Sequence, residues 1–203
     1  METTNETVVL NYKSADSADP RAYWHGTVLG HEKKFVRVIV GVAIPQLDRQ
    51  AGAAIALGEL YQSFKPMDLT GLAAAVGTWS KIKTTLLEWC RDLKPDHVVT
   101  DSRESRQILW QITGLENGLP KAPLITYEAP KLAATEVGRQ NVESLIDEGR
   151  LHIEHLVPSF DQDRDQLDRA LRYAVNWALE FKAFYAPPPR GPLTPRLIGT
   201  AGL

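Results

Sequence analysis

The sequence contains very little cysteine and has no long apolar segment. Cys90 is the only cysteine among 203 residues, so one chain cannot form a disulfide framework or a cysteine zinc site. No apolar run approaches the roughly 20 residues of a membrane-spanning helix. The N-terminal METTNETVVLNY lacks the basic segment and apolar core of a secretory signal. The sequence therefore predicts an intracellular, cytoplasmic protein that does not enter a membrane.

Strong net charge and nucleotide-binding motifs are absent as well. The formal net charge is -2, which excludes a strong overall attraction for nucleic acid but leaves room for a local basic patch. Neither G-x-x-x-x-G-K-[ST] nor G-x-G-x-x-G occurs, so a P-loop and a Rossmann dinucleotide site are both disfavoured. No serine or cysteine lies in a recognisable nucleophile motif.

The length and the distribution of proline predict one domain followed by an arm. Residues 1–185 have the size and apolar content of a single domain with a substantial core. Residues 186–203, APPPRGPLTPRLIGTAGL, are rich in proline, which favours an extended polyproline II conformation. This C-terminal arm is a candidate for contact with a protein partner.

Hydrophobic periodicity predicts the order β-β-β-α-α-β-α-β-α-α. Three strands are predicted over residues 7–12, 23–30 and 34–45, and the third is the strongest because β-branched residues are dense there. Helical spacing of apolar residues predicts helices over 48–64 and before Pro95, and further helices over 131–149 and after Ser159 and Gln162, which form a capping box. Short strands are predicted at 97–100 and 123–128. This order indicates an α/β fold with a mixed sheet.

A resemblance to a known family rests on the segment VVTDSRESRQIL. Thr100-Asp101-Ser102, followed by Arg106-Gln107, resembles the fourth strand and following helix of type-one ribonucleases H. AAIALGEL also resembles the alanine- and leucine-rich first helix of that family. The resemblance implies a ribonuclease H-like fold, in which three antiparallel N-terminal strands precede alternating helices and strands and the helices pack on the sheet.

The resemblance also implies a chemistry. Such enzymes cleave phosphodiesters with two divalent ions, Mg²⁺ or Mn²⁺, held by converging carboxylates. It assigns Asp101, Asp168 and Asp165 as metal ligands and catalytic acids, with Asp16 as a further catalytic candidate. The implied partner is nucleic acid, either an RNA–DNA hybrid or DNA, and the basic candidates for phosphate contact are Lys33, Lys34, Arg37, Arg103 and Arg106.

Two acidic positions of the family pattern lack an acid here. The first-strand position falls at Asn11 or Tyr12, and the first-helix position falls within residues 50–52, which contain no acid. The resemblance therefore implies a divergent or degenerate metal-dependent nuclease. The alternative is a non-catalytic interaction module that keeps the fold and binds a protein partner.

The same acids have simpler interpretations. Asp101, with Glu104 three residues later, is a good N-cap pair for the helix predicted to begin near Ser102. The acids between Asp161 and Asp168 fall in a first helical turn, where they favour the helix dipole.

A second resemblance gives a different assignment within the same superfamily. LITYEAPKLAATEVGRQNVESLIDEGRLHI is similar to the late part of a phage terminase nuclease domain, in which a strand precedes a lysine-bearing helix and a GRL strand. The first catalytic strand would then be VRVIVGVAI, with Ala43 where an aspartate is expected.

Overall fold

The computed structural model describes residues 10–13, 23–28, 31–44, 51–60, 68–101, 107, 125–128 and 131–180. In chain order the strands are β1 (Leu10–Lys13), β2 (Tyr23–Val28), β3 (His31–Ala43), β4 (Ala51–Leu60), β5 (Asp68–Thr78), β6 (His97–Thr100), β7 (Ile125–Glu128) and β8 (Leu151–His152). The helices are α1 (Trp79–Asp92), α2 (Glu136–Asp147), α3 (Val157–Phe160) and α4 (Arg164–Glu180), with 3₁₀ turns at Lys131–Ala134 and Glu154–Leu156.

The sheet is mixed and is organised around β3. Strands β1 to β5 are joined as successive antiparallel neighbours, and β8 lies parallel to β5. Along its other edge β3 pairs first with β2 and then, over Ile39–Gly41, in parallel with β6, which in turn pairs in parallel with β7. This is the predicted mixed α/β architecture, but five antiparallel strands, β1 to β5, and not the predicted three precede the strands that pair in parallel.

Helices cover both faces of the sheet, so its central strands are buried on both sides. From Arg37 onward in β3, and along β4, the odd-numbered side chains, such as Ile39 and Ile55, pack with α4 and α2. The even-numbered ones, such as Val40 and Ala54, pack with α1. Gly41 allows α4 to approach β3 closely, because a Cβ at this position would lie 2.0 Å from the carbonyl oxygen of Ala170. The described residues therefore form two apolar cores separated by one sheet.

One predicted helix is wrong: residues 51–60 of the segment 48–64 form strand β4, and the segment AAIALGEL lies in that strand. Ala53, Ala54 and Ala56 are all fully buried between the helical layers. Alanine has high helix propensity, but small residues also let a helix approach each face of a doubly covered sheet. Tertiary packing therefore decides the conformation here.

Other boundaries differ from the predictions in instructive ways. A strand that was not predicted, β5, precedes α1, which begins after Thr78. The Thr78 side chain accepts a hydrogen bond from the Lys81 amide at 3.4 Å. The last helix is capped by Asp163, whose Oδ1 accepts from the Gln166 amide at 3.2 Å, whereas Ser159 lies in α3. The helix predicted over 131–149 is a 3₁₀ turn followed by α2, and the chain turns at Gly149 with a φ of 65°.

Within the described residues, no helix is both long enough and apolar enough to cross a membrane. The C-terminal arm, residues 186–203, and the helix predicted after Asp101 fall outside the described ranges, apart from Gln107.

Candidate functional site

The position of Asp101 is set by the parallel pairing of β6 with β3. Gly41 pairs with Val99, the last pair between the two strands, and extending this register by two residues places Ala43, at the end of β3, next to Asp101, just after β6. Because side chains alternate along a strand, both belong to the face covered by α4. At its start β6 is held in register by Asp96, whose Oδ2 accepts a hydrogen bond from the Val38 amide at 2.8 Å.

The Asp101 carboxylate is bound by two side chains of α4. Arg169 Nη2 donates to Asp101 Oδ2 at 2.8 Å, and the Tyr173 hydroxyl donates to the same oxygen at 3.0 Å. Arg169 and Tyr173 are four residues apart and therefore point from one side of the helix. The other carboxylate oxygen accepts a weaker hydrogen bond from Thr100 Oγ1 at 3.5 Å. We call Thr100, Asp101, Gln166, Arg169 and Tyr173 the Asp101 cluster.

The members of the Asp101 cluster reinforce one another. Arg169 also donates from Nε to the Tyr173 hydroxyl at 3.3 Å and from Nη1 to Gln166 Oε1 at 3.3 Å. Burial raises the pKa of Tyr173, and the negative charge of Asp101 raises it further. Burial opposes the charge on Arg169, but Tyr173 and Asp101 together raise its pKa. Tyr173 therefore remains a neutral donor and Arg169 a cation.

The described residues around Asp101 do not fit a pair of divalent ions. Its neighbour at the end of β3 is Ala43, whose antiparallel partner on β4 is Ala53, and both are fully buried without an oxygen ligand in their side chains. Magnesium and manganese sites need several converging oxygen ligands. Across the described residues no group of three or more histidine, cysteine, aspartate or glutamate side chains could hold a metal ion. The charge opposite Asp101 is the guanidinium of Arg169.

Asp165 and Asp168, the two other predicted ligands within the described residues, are not grouped with Asp101. Asp168 Oδ2 lies 3.2 Å from Arg172 Nε one turn along α4. Asp165 is exposed in the first turn of the same helix, where an acid favours the helix dipole. Both line a groove of about 460 Å³ between α2, α3 and α4. Asp16 falls outside the described residues.

The order of strands in the sheet decides which residue occupies the first-strand acidic position of the family pattern, the position next to Asp101. The prediction that Asn11 or Tyr12 occupies that place is wrong, because β1 pairs with β2 and not with β6. The residue beside Asp101 is Ala43, at the end of VRVIVGVAI. The two assignments differed because sequence pattern identifies strands without giving their order in a sheet.

Of the basic residues predicted to contact phosphate, Arg37 lies inside the fold. It is 8% exposed and forms an ion pair with Glu59, which is 2% exposed, and its guanidinium stacks over the Trp177 ring at 5.0 Å. Lys33 and Lys34 belong to the part of β3 that pairs with β2. Arg103 and Arg106 lie outside the described residues, as do the helix amides that Asp101 would cap, so the capping interpretation stays a prediction.

Sequence reasoning did not identify Arg169 and Tyr173. The signal was present in the i,i+4 spacing of a cation and a phenol on one side of the last helix, next to the acid Asp168. The resemblance requires an acid and therefore pointed to Asp168, although the neighbouring Arg169 is the residue that faces the strand end.

Comparisons with known proteins give a likeness of shape at low sequence identity. No protein-family model and no curated protein matches the chain. A crystal structure of the fowlpox virus Holliday junction resolvase aligns with 70% of this chain and 98% of its own, at 10% identity and a TM-score of 0.48. The RuvC structure from Thermus thermophilus aligns with 70% of this chain and 96% of its own, at 15% identity and a TM-score of 0.43. Similarity at this level does not bear on what this chain binds or cuts.

Proposed function

We propose that this chain is a degenerate ribonuclease H-like domain that acts by binding a partner and not by metal-dependent cleavage. One observation supports the proposal above the others: the acid at the end of β6 is held by Arg169 and Tyr173, and its strand neighbour is Ala43. A guanidinium at 2.8 Å supplies the positive charge that a cation would otherwise bring to Asp101.

The proposal has a physical basis in the balance of charge. Two divalent ions carry four positive charges and need several carboxylates, whereas Asp101 offers one negative charge that the arginine already balances. Displacing Arg169 would expose its guanidinium to other partners and would remove its hydrogen bonds to Tyr173 and Gln166. A metal ion must therefore compete with an assembled network.

A second candidate is a divergent nuclease that uses Mg²⁺ or Mn²⁺ on nucleic acid. The observation in its favour is that Asp101 lies at the carboxyl end of a strand parallel to β3, the place where the ribonuclease H resemblance requires an acid. This candidate requires Arg169 to give way to a cation and other ligands to come from residues such as Asp16.

Calorimetric titration with Mn²⁺ and Mg²⁺ distinguishes the two candidates, together with a cleavage assay on an RNA–DNA hybrid and on branched DNA. We expect no metal binding at Asp101 and no cleavage. The matched variants are Asp101→Asn and, as a control, Glu88→Gln, which removes the same charge from the exposed side of α1. Metal binding and cleavage that are lost in Asp101→Asn and kept in Glu88→Gln would overturn the proposal.

A further inference from the structure

The groove between α2, α3 and α4 is a surface that the proposed function does not use. Six apolar side chains line it: Val142, Ile146, Ile153, Val157, Phe160 and Leu171. Only three large apolar side chains of the described residues are strongly exposed, and Ile146 at 45% and Val157 at 51% are two of them. Exposed apolar surface concentrated in one concave region is typical of a binding site.

The rim of the groove carries an excess of negative charge. Four acids line it, namely Glu143, Asp161, Asp165 and Asp168, against the two arginines Arg139 and Arg164. Arg139 is engaged by Glu143 at 3.3 Å and also by Glu136 outside the groove. Among the described residues, neither Asp161 nor Asp165 has an ion-pair partner. A ligand with apolar side chains would pack against the apolar lining of the groove, and basic side chains in the same ligand would pair with the acids on its rim.

The chain itself contains a segment of that chemistry. Residues 181–203 carry three basic side chains, Lys182, Arg190 and Arg196, and no acidic one. Between and after the arginines the segment supplies prolines together with Leu193, Leu197 and Ile198. Proline-rich segments bind in apolar grooves because their extended conformation loses little entropy on binding.

The segment is long enough to reach the groove. From Asp168 to the end of α4 at Glu180 the helix rises about 18 Å. An extended chain gains about 3.1 Å for each residue, so Arg190 can lie up to about 31 Å from Glu180 and Arg196 up to about 50 Å. Both arginines can therefore return along α4 to the acids on the rim.

We propose that the C-terminal arm, residues 186–203, binds within its own chain in the groove between α2, α3 and α4. The prolines and leucines of the arm cover Ile146, Val157 and Phe160, and Arg190 and Arg196 face Asp161 and Asp165. This inference goes beyond the proposed function and is independent of it, since the groove is lined by none of the residues of the Asp101 cluster.

Paramagnetic relaxation in the full chain tests the docking directly. A nitroxide is attached to the variant Leu193→Cys, with the wild-type chain as the labelling control, because burial raises the pKa of Cys90 to about 12 and keeps that thiol unreactive. We expect loss of the amide signals of Ile146, Val157 and Asp165. The signals of Lys83 and Glu88, on the exposed side of α1 across the sheet, should be retained.

Two sets of charge-reversal variants, one in the C-terminal arm and one on α1, test whether the arm binds through its arginines. Arg190→Glu combined with Arg196→Glu reverses the charges proposed to face Asp161 and Asp165, so it should restore the groove signals. Glu88→Lys, a charge reversal on α1, should leave the broadening unchanged. Equal broadening of both surfaces, no broadening of either, or broadening that survives the arm substitutions would overturn the proposal.

A mixed sample separates binding within one chain from exchange between chains. Isotope-labelled protein without nitroxide is combined with unlabelled protein that carries the nitroxide. We expect no loss of groove signals in this mixture. Loss of those signals there would assign the groove to the arm of a second copy and overturn binding within the chain.

Discussion

Two arginine–carboxylate pairs lie beneath α4, and they differ in how far water reaches them. Arg169–Asp101, under the first half of the helix, has side chains that are 23% and 24% exposed. Arg37–Glu59, under its second half, has side chains that are 10% and 3% exposed. The first pair joins the helix to the end of a strand, while the second joins β3 to β4 within the core.

Because of this difference in exposure, the Arg169–Asp101 pair could open to a ligand, whereas the Arg37–Glu59 pair cannot. Arg37 and Glu59 are surrounded by protein: Arg37 also donates to the Ala178 carbonyl at 3.3 Å, and its guanidinium lies over Trp177. Burial raises the pKa of Glu59, and the charge of Arg37 opposes that rise. Asp101 keeps some access to water, so only there could a ligand compete with an arginine. The burial of Arg37 and Glu59 thus indicates that this pair has a purely structural role.

The largest expected effect comes from breaking the buried pair. Arg37→Met should lower the free energy of unfolding by about 3–5 kcal/mol, because it leaves the Glu59 carboxylate buried without a counter-charge. Urea unfolding followed by circular dichroism measures this change. The double variant Arg37→Met/Glu59→Leu should recover most of the loss, since it removes the uncompensated charge as well. A double variant as unstable as the single one would contradict the proposed origin of the effect.

A smaller effect is expected from the more exposed pair. Asp101→Asn should lower the free energy of unfolding by about 1–2 kcal/mol, because it weakens a charge-assisted hydrogen bond that water partly screens. The control is Asp168→Asn, on an exposed ion pair, which should cost less than about 0.5 kcal/mol. Equal losses in the two variants, measured by urea unfolding, would show that the Asp101 cluster adds nothing to an ordinary surface pair.

Lowering the pH should destabilise the protein through His97, which packs against Trp177 near the C-terminal end of α4. Its ring lies 4.1 Å from the Trp177 ring, and burial, with a further contribution from Arg37, lowers its pKa from 6.5 to about 4. The unfolded chain therefore takes up a proton at a higher pH than the folded chain does. The stability contributed by neutral His97 is fully present above pH 6.5 and is lost as the pH falls from 6.5 to about 4.

Melting temperatures from pH 7.5 to 4 test this effect on His97→Gln and on a control, His152→Gln. The wild type and the control should lose stability over the window in parallel, and His97→Gln should lose less. Parallel curves for all three proteins would exclude His97 as the source.

The smallest expected effect is on salt dependence. Raising the ionic strength from about 0.1 to 1 M shortens the screening length from about 10 to 3 Å, which weakens exposed pairs more than buried ones. The coupling energy of Asp101 with Arg169, from a double-mutant cycle, should fall by a few tenths of a kcal/mol, on the order of a surface pair. That of Arg37 with Glu59 should change less. A larger salt effect on the Arg37–Glu59 coupling energy than on the Asp101–Arg169 coupling energy would contradict this assignment of the buried and the exposed pair.

Sequence reasoning succeeded where local pattern and packing agree. The stripe of Ile82, Leu86 and Trp89 predicted α1, and the apolar run of β6 with its terminal Asp101 predicted a strand end. It failed at Ala51–Leu60, where helix propensity and the demands of a doubly covered sheet point in opposite directions. The overall class was recoverable because most long elements keep a clear period.

The candidate site was less predictable than the fold. The two resemblances gave different residues for the position beside Asp101, Asn11 or Tyr12 in one and Ala43 in the other, and local pattern could not choose between them because strand order is a long-range property. Sequence reasoning also pointed to Asp168 and missed Arg169, the next residue on α4, whose side chain reaches Asp101. Neighbouring residues on a helix are rotated by about 100°, so only the packing of α4 determines which of the two side chains faces the strand.

The most direct test of the central claim is anomalous diffraction from crystals of the full chain soaked in Mn²⁺. The position of any ion near Asp101 and the contacts of Arg169 are then observed together. We expect Arg169 and Tyr173 to remain bonded to Asp101, with no manganese peak at its carboxylate. A manganese ion bound to Asp101, with Arg169 displaced, would contradict the claim that a guanidinium takes the place of the metal.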